Sequence, residues 1–127
     1  MKDDALNVLE RAKLGTLATI NDDGSPWSTP VQLLLRNGCI VWYSGIDAVH
    51  SKNLERDKRI SITIVEGDDG PSVAVYISSR TTVSQETTFN EHYQKTMAEY
   101  SAPIGEFDEI KSEPNRYYFR FIEGATA

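Results

Sequence analysis

The sequence predicts a mainly β domain, an antiparallel barrel of six short strands with helices packed outside it. Apolar and polar residues alternate in short runs, as in Ile60, Ile62 and Ile64 against Ser61 and Thr63. That period belongs to a half-buried strand. Asp23-Gly24 and Asn37-Gly38 are residue pairs favoured in two-residue hairpins, because they tolerate positive φ. The strands also follow one another without the regularly interleaved helices of a parallel α/β sheet.

Taken in order, residues 3–13 form an amphipathic helix, with Ala5, Leu6, Leu9 and Ala12 at helical spacing. Leu14 to Ile20 is the first strand and Asn21-Asp22-Asp23-Gly24 the turn after it. Trp27 to Leu35 is the second strand, and Pro30 within it implies an edge, a bulge or a kink. Cys39 to Ser44 is the third. A short helix at 48–57 follows, with Asp47 as its expected N-cap. Arg59 to Val65 is the fourth strand, and Glu66 to Pro71 a loop. Ser72 to Ser84 is a long fifth strand with a bend at Ser78-Ser79-Arg80. Glu86 to Tyr100 reads as a helix, because Phe89, Tyr93, Met97 and Tyr100 are spaced by four, four and three; Pro103 and Gly105 end it. Tyr117 to Ile122 is the sixth strand.

A chain of 127 residues fits one domain, residues 1–127, with room for a proper core. Hydrophobic residues at 39% and charged residues at 25% are ordinary for a globular protein. The net charge of -6 argues against a nucleic-acid partner, which calls for the opposite balance. The N-terminus Met1-Lys2-Asp3-Asp4 is acidic and lacks an apolar signal region, and no apolar run is long enough to span a membrane. With one cysteine, Cys39, no internal disulfide forms, and the expected location is the cytoplasm. Two histidines, His50 and His92, at no paired spacing give no metal motif. Neither a dinucleotide-binding nor a Walker-type glycine loop is present.

The stretch from Trp42 to Asp57 carries the most chemistry. An apolar strand ends at Ser44-Gly45, and a short polar helix begins with His50-Ser51-Lys52-Asn53. A helix start offers unpaired N–H donors and the positive end of the helix dipole, which together suit an anion. Ser51, Asn53, Lys52 and the His50 imidazole can add side-chain donors; equally, they are ordinary polar residues of a solvated helix start. Trp27 and Trp42 can stack on a ring system, although aromatics in a small barrel more often serve the core or an interface. Cys39 has no local base to activate it and reads as a quiet strand thiol.

Leu17-Ala18-Thr19 through Asp23-Gly24-Ser25-Pro26 to Pro30-Val31 resembles the first hairpin of the pyridoxamine 5'-phosphate oxidase-like, FMN-binding split-barrel family. The Trp42 to Ile60 segment resembles the family's next block: a strand, Ser or Thr, a loop, then Lys or His three residues before Asn-Leu. The resemblance runs in order over residues 5–85 and more weakly beyond. It implies a six-stranded antiparallel split β-barrel with flanking helices that forms a homodimer, with FMN in clefts at the subunit interface. The flavin phosphate would lie near His50, Ser51, Lys52 and Asn53, and the ring near Thr29, Pro30, Val31, Tyr43 and Ser44. Thr29 stands where the true oxidases carry an arginine, and His50 where the family usually has lysine. The Arg-x-His-type substrate motif of the true oxidases is not visible. The expectation is an FMN-dependent oxidoreductase acting on an unidentified small molecule, with no catalytic acid or base assigned. The alternatives are a deazaflavin-dependent reductase, a non-catalytic flavin- or haem-binding protein, or a barrel with an empty cleft.

Overall fold

The structure, a computed structural model, describes residues 2–66, 73–91, 95–104, 108–111 and 116–121. Helix α1 (Lys2–Arg11) leads into β1 (Leu14–Ile20) and β2 (Pro26–Gln32), which form the first hairpin. Gly24 in its turn has φ 87°. A second hairpin joins β3 (Leu34–Arg36) to β4 (Cys39–Gly45). Its turn places Asn37 at φ 53° and Gly38 at φ 74°, the two successive left-handed residues that match the twist of the flanking strands. Helix α2 (Val49–Arg56) precedes β5 (Arg59–Glu66) and β6 (Val73–Arg80). Then come β7 (Thr82–Asn90), β8 (Lys95–Pro103), β9 (Asp108–Lys111) and β10 (Arg116–Phe121).

The strands make two sheets, β2-β1-β5-β6-β10-β9 and β3-β4-β8-β7. Among the described pairings, β6 with β10 is parallel and the others are antiparallel. This is the mainly β split barrel with two helices. Ten strand segments are described where the sequence suggests six: two long strands each divide at a corner between the sheets, and β8 and β9 are additional. The first divides at Leu33, whose N–H bonds the carbonyl of Lys13 at 3.0 Å and whose side chain is buried. The second divides at Thr81, which is fully buried. Its N–H bonds the Lys58 carbonyl at 2.9 Å, and its hydroxyl donates to the Ser101 carbonyl at 2.9 Å. These bonds satisfy backbone and side-chain groups that the interrupted ladders leave over.

The helix expected over Glu86 to Tyr100 is not there. Its described residues belong to β7, to a turn at Glu91 and to β8. A spacing of four is even, so it places residues on one face of a strand as readily as of a helix. The residues that discriminate are Ala98, Tyr100 and Ala102, buried at every second position. Tyr93 and His92 lie outside the described residues. Tyr100 faces Trp42 across β4 and β8, and the two rings stack with centroids 5.8 Å apart. Trp42 is therefore a core residue, in one buried cluster with Leu17, Ile40, Leu54, Ile62 and Ile77. Trp27, on the edge strand β2, is 41% exposed. Among the described residues, no helix is long and apolar enough to cross a membrane.

Candidate functional site

Helix α2 leaves β4 through Gly45 and packs on β1, touching β2 as well. Its N-cap is Ala48, at φ -65° and ψ 150°, which offers no side-chain cap. The expected cap, Asp47, instead points outward with its side chain 67% exposed and Oδ1 3.9 Å from Lys52 Nζ. The extra residue between the end of β4 and the helix shifts the cap position by one. The N–H groups of Val49, His50 and Ser51 thus open the helix without an acceptor among the described residues. No acidic residue occupies the first turn itself, and the Asp47 carboxylate lies just before the cap.

His50 and Ser44 meet beside this turn, with Nε2 2.8 Å from Oγ. Ser44 is buried and His50 half-buried. Burial lowers the imidazole pKa below its ordinary 6.5, so His50 is neutral at pH 7. It supplies a hydrogen bond there rather than a charge. Lys52 is exposed and, given the length of its contact with Asp47, its ammonium remains available to an anion.

Asn53 is buried and its side chain is fully engaged. Its amide donates to Thr19 Oγ1 and to Asn21 Oδ1, each at 3.0 Å, and its carbonyl accepts from Arg56 at 3.4 Å. Arg56 also donates to the Ile20 carbonyl and lies 3.8 Å from the Asp22 carboxylate. These bonds fasten α2 to the first hairpin. Thr19, Asn21 and Arg56 are the members of this cluster that the sequence reading passed over. The Asn-Asp-Asp-Gly run signals a turn, and nothing local says that its first residue reaches a helix thirty residues on.

Ser51 shares the helix start but turns the other way. Its hydroxyl is buried without a hydrogen-bond partner among the described residues. Tyr43 and Ser44 are successive strand residues and therefore face opposite sides of the sheet. Tyr43 donates its hydroxyl to Glu99 Oε1 at 2.5 Å, and Arg36 bonds the same carboxylate. The two donors, Tyr43 foremost, hold the Glu99 carboxyl below its usual range. Tyr43 also lines a groove of about 340 Å³ with Lys13, Gln32, Leu33 and Leu34. On β2, Thr29 pairs with Leu17, Pro30 with Thr16 and Val31 with Gly15. Pro30 sits on an edge strand, where its missing N–H costs no interior ladder bond. The Val31 side chain is buried in the core and leaves only its backbone available to a ligand. The candidates thus fall into a helix-start turn, a clamp, a buried pocket wall, and a groove with an edge strand. Among the described residues no cluster of three or more metal-ligating side chains occurs.

The family model described as pyridoxamine 5'-phosphate oxidase matches residues 1–123. No curated protein sequence matches the chain. Among solved structures, a haem-binding protein from Mycobacterium smegmatis superposes with a TM-score of 0.70 at 18% identity, over 92% of this chain and 56% of that one. A FAD-binding protein from Mesorhizobium loti gives 0.64 at 13% identity, over 80% and 93%. The haem storage protein of Vibrio cholerae gives 0.62 at 14% identity, over 80% and 89%. At such identities the likeness is one of fold.

Proposed function

Because this chain belongs to the pyridoxamine 5'-phosphate oxidase family, we propose that it binds FMN and acts as an oxidoreductase on a small molecule, as a cytoplasmic homodimer of single-domain chains. The observation that carries the reading is the uncapped, acid-free first turn of α2. Its N–H donors, the Ser44–His50 pair and Lys52 suit the phosphate of a flavin nucleotide. Ser51 contributes its backbone N–H, and Asn53 holds the turn in place through Thr19 and Asn21. Tyr43, with the edge residues Thr29, Pro30 and Val31, offers the surface for the ring.

When bound, the flavin supplies the redox chemistry. The chain's own residues bind the phosphate, orient the ring and exclude water. Two of the similar folds belong to haem proteins. Here the Nε2 of His50 already meets Ser44, which favours the flavin over an axial haem ligand at that residue.

The test is a titration of the apo protein with FMN, riboflavin, a deazaflavin cofactor and haem. FMN is expected to bind at least roughly tenfold tighter than riboflavin, through charge-assisted bonds to the phosphate. The double substitution His50→Ala and Lys52→Ala is expected to bring FMN down to the riboflavin level. Equal affinity of FMN and riboflavin for the unaltered protein overturns the phosphate site; haem or deazaflavin binding ahead of FMN overturns the choice of cofactor.

A further inference from the structure

The corner at Leu33 has a second use. Gln32, Leu33 and Leu34 follow directly on Thr29, Pro30 and Val31 and carry the chain from the first sheet into the second. With Lys13 and Tyr43 they line the groove of about 340 Å³. The Lys13 carbonyl accepts the Leu33 N–H at 3.0 Å, which fixes the lysine backbone against the corner. Tyr43 stands opposite, its hydroxyl donated to Glu99 at 2.5 Å. The walls are open to a ligand. Leu34 is 40% exposed and Tyr43 47%, and Lys13 and Gln32 are exposed as well. Exposed apolar side chains beside a few polar groups in a concave place suit a small organic molecule. An enclosed cavity of about 150 Å³ admits benzene, so this open groove has room for one or two rings.

The charges here favour an anion. Lys13 has no ion pair among the described residues. The acids of the neighbouring strands are engaged elsewhere: Glu66 pairs with Arg11, and Glu99 takes the Tyr43 hydroxyl and the Arg36 guanidinium. Glu10, earlier in the chain, is on α1 and does not line the groove. The lysine ammonium moves on a flexible four-carbon stem, and the Gln32 amide adds neutral N–H donors. One cation and one amide match the single charge and two oxygens of a carboxylate, whereas a phosphate dianion calls for more donors.

We propose that this groove binds an aromatic carboxylate of one or two rings. The carboxylate meets Lys13 and Gln32, and the ring packs against Leu34 and Tyr43. Because the groove continues the surface given to the flavin ring, such an acid is the class of substrate presented to the flavin. That last step rests on the flavin reading; the affinity of the groove for the anion does not.

The test titrates the ¹⁵N-labelled full chain with benzoate, with its neutral isostere benzamide, and with acetate, which has the charge but no ring. Benzoate is expected to shift the amide resonances of Gln32, Leu34 and Tyr43. Benzamide is expected to bind roughly three- to tenfold more weakly, the effect of one charge-assisted bond open to water. Acetate is expected not to bind where benzoate saturates. Lys13→Gln should abolish the preference for benzoate over benzamide, and Lys13→Arg should keep it. The proposal is overturned if benzoate does not bind, if its shifts map to the first turn of α2, or if Lys13→Gln keeps the preference. Repeating the titration with FMN present separates the two readings. Benzoate is then expected to shift the groove amides as before and to perturb the flavin absorption band. If FMN displaces benzoate, the groove belongs to the ring and the proposal is overturned. If FMN does not bind at all, benzoate at the groove upholds the anion site and overturns its role toward a flavin.

Discussion

The side-chain amide of Asn53 donates to the hydroxyl of Thr19 at 3.0 Å, and both residues are buried. With the bonds to Asn21 and from Arg56 to Ile20, it joins the helix after the third long strand to the first hairpin. It makes Asn53 a positioning residue for the turn that precedes it. Asn53→Ala removes two donors and leaves Thr19 buried without its partner. The expected loss is about 2–4 kcal/mol of unfolding free energy, read from chemical denaturation. If the variant is as stable as the parent, α2 is held by its apolar face alone.

Replacing His50 by lysine restores a fixed charge at the helix start. At pH 8, where His50 is neutral, His50→Lys is expected to raise FMN affinity by roughly tenfold, the difference between a neutral and a charge-assisted bond. The unaltered protein should gain affinity as pH falls from 8 toward 6, because the phosphate stabilises the imidazolium, whereas the lysine variant should not. Fluorescence titrations across that range separate the two.

Without ligand, His50 has the opposite influence on stability. Its folded pKa lies below the ordinary 6.5, so the unfolded chain binds the proton more readily. The stability is therefore complete above pH 6.5 and declines as pH falls through the folded pKa. Melting temperatures of the parent and of His50→Gln should converge on parallel lines above pH 7 and diverge below pH 6, the parent falling more steeply.

Asp57 sets a second, more acidic window. Hydrogen bonds from the Arg59 guanidinium hold its carboxyl at about 2. Its contribution is present above the ordinary carboxylate range and lost as pH falls through about 2. The Arg59 side of the pair is open to water, so Asp57→Asn is expected to cost under about 1 kcal/mol at pH 7 and less at pH 2, where the carboxyl is already half protonated. Urea titrations at the two pH values test this.

Gly15 lies where β1 passes the first corner. A Cβ there would stand 2.5 Å from Leu33 Cδ1 and 3.1 Å from Ile64 Cγ1. Gly15→Ala is expected to cost about 1–3 kcal/mol through overpacking, seen as a lower denaturation midpoint with an unchanged slope.

The strands set by local rules are legible: β1 and β5 alternate cleanly, β4 is a short apolar run, and both glycine turns fall where their pairs demand positive φ. The corner at Thr81 is foreshadowed by the bend read at Ser78-Ser79-Arg80 just before it, whereas the corner at Leu33 interrupts a β-forming run with no glycine or proline at the break. The β7–β8 hairpin is not legible, because the four-residue steps from Phe89 to Met97 suit a helix and a strand alike. At the site, the polar helix start was visible, but the direction of each side chain was not. Asn53, Ser51 and His50 are near neighbours in sequence, yet the helix sends them to a clamp, a buried pocket wall and a turn. The N-cap was lost to a one-residue difference in loop length, which no propensity records.

The parallel pairing of β6 with β10 has a consequence for how the chain is made. During synthesis Val73–Arg80 emerges well before Arg116–Phe121. Until that later strand arrives, β6 is the open margin of a growing sheet, with Val73, Val75 and Ile77 in a β-prone run. Another nascent chain can pair with such a margin. For this protein, the interval between translating the two segments is the time of greatest exposure to aggregation.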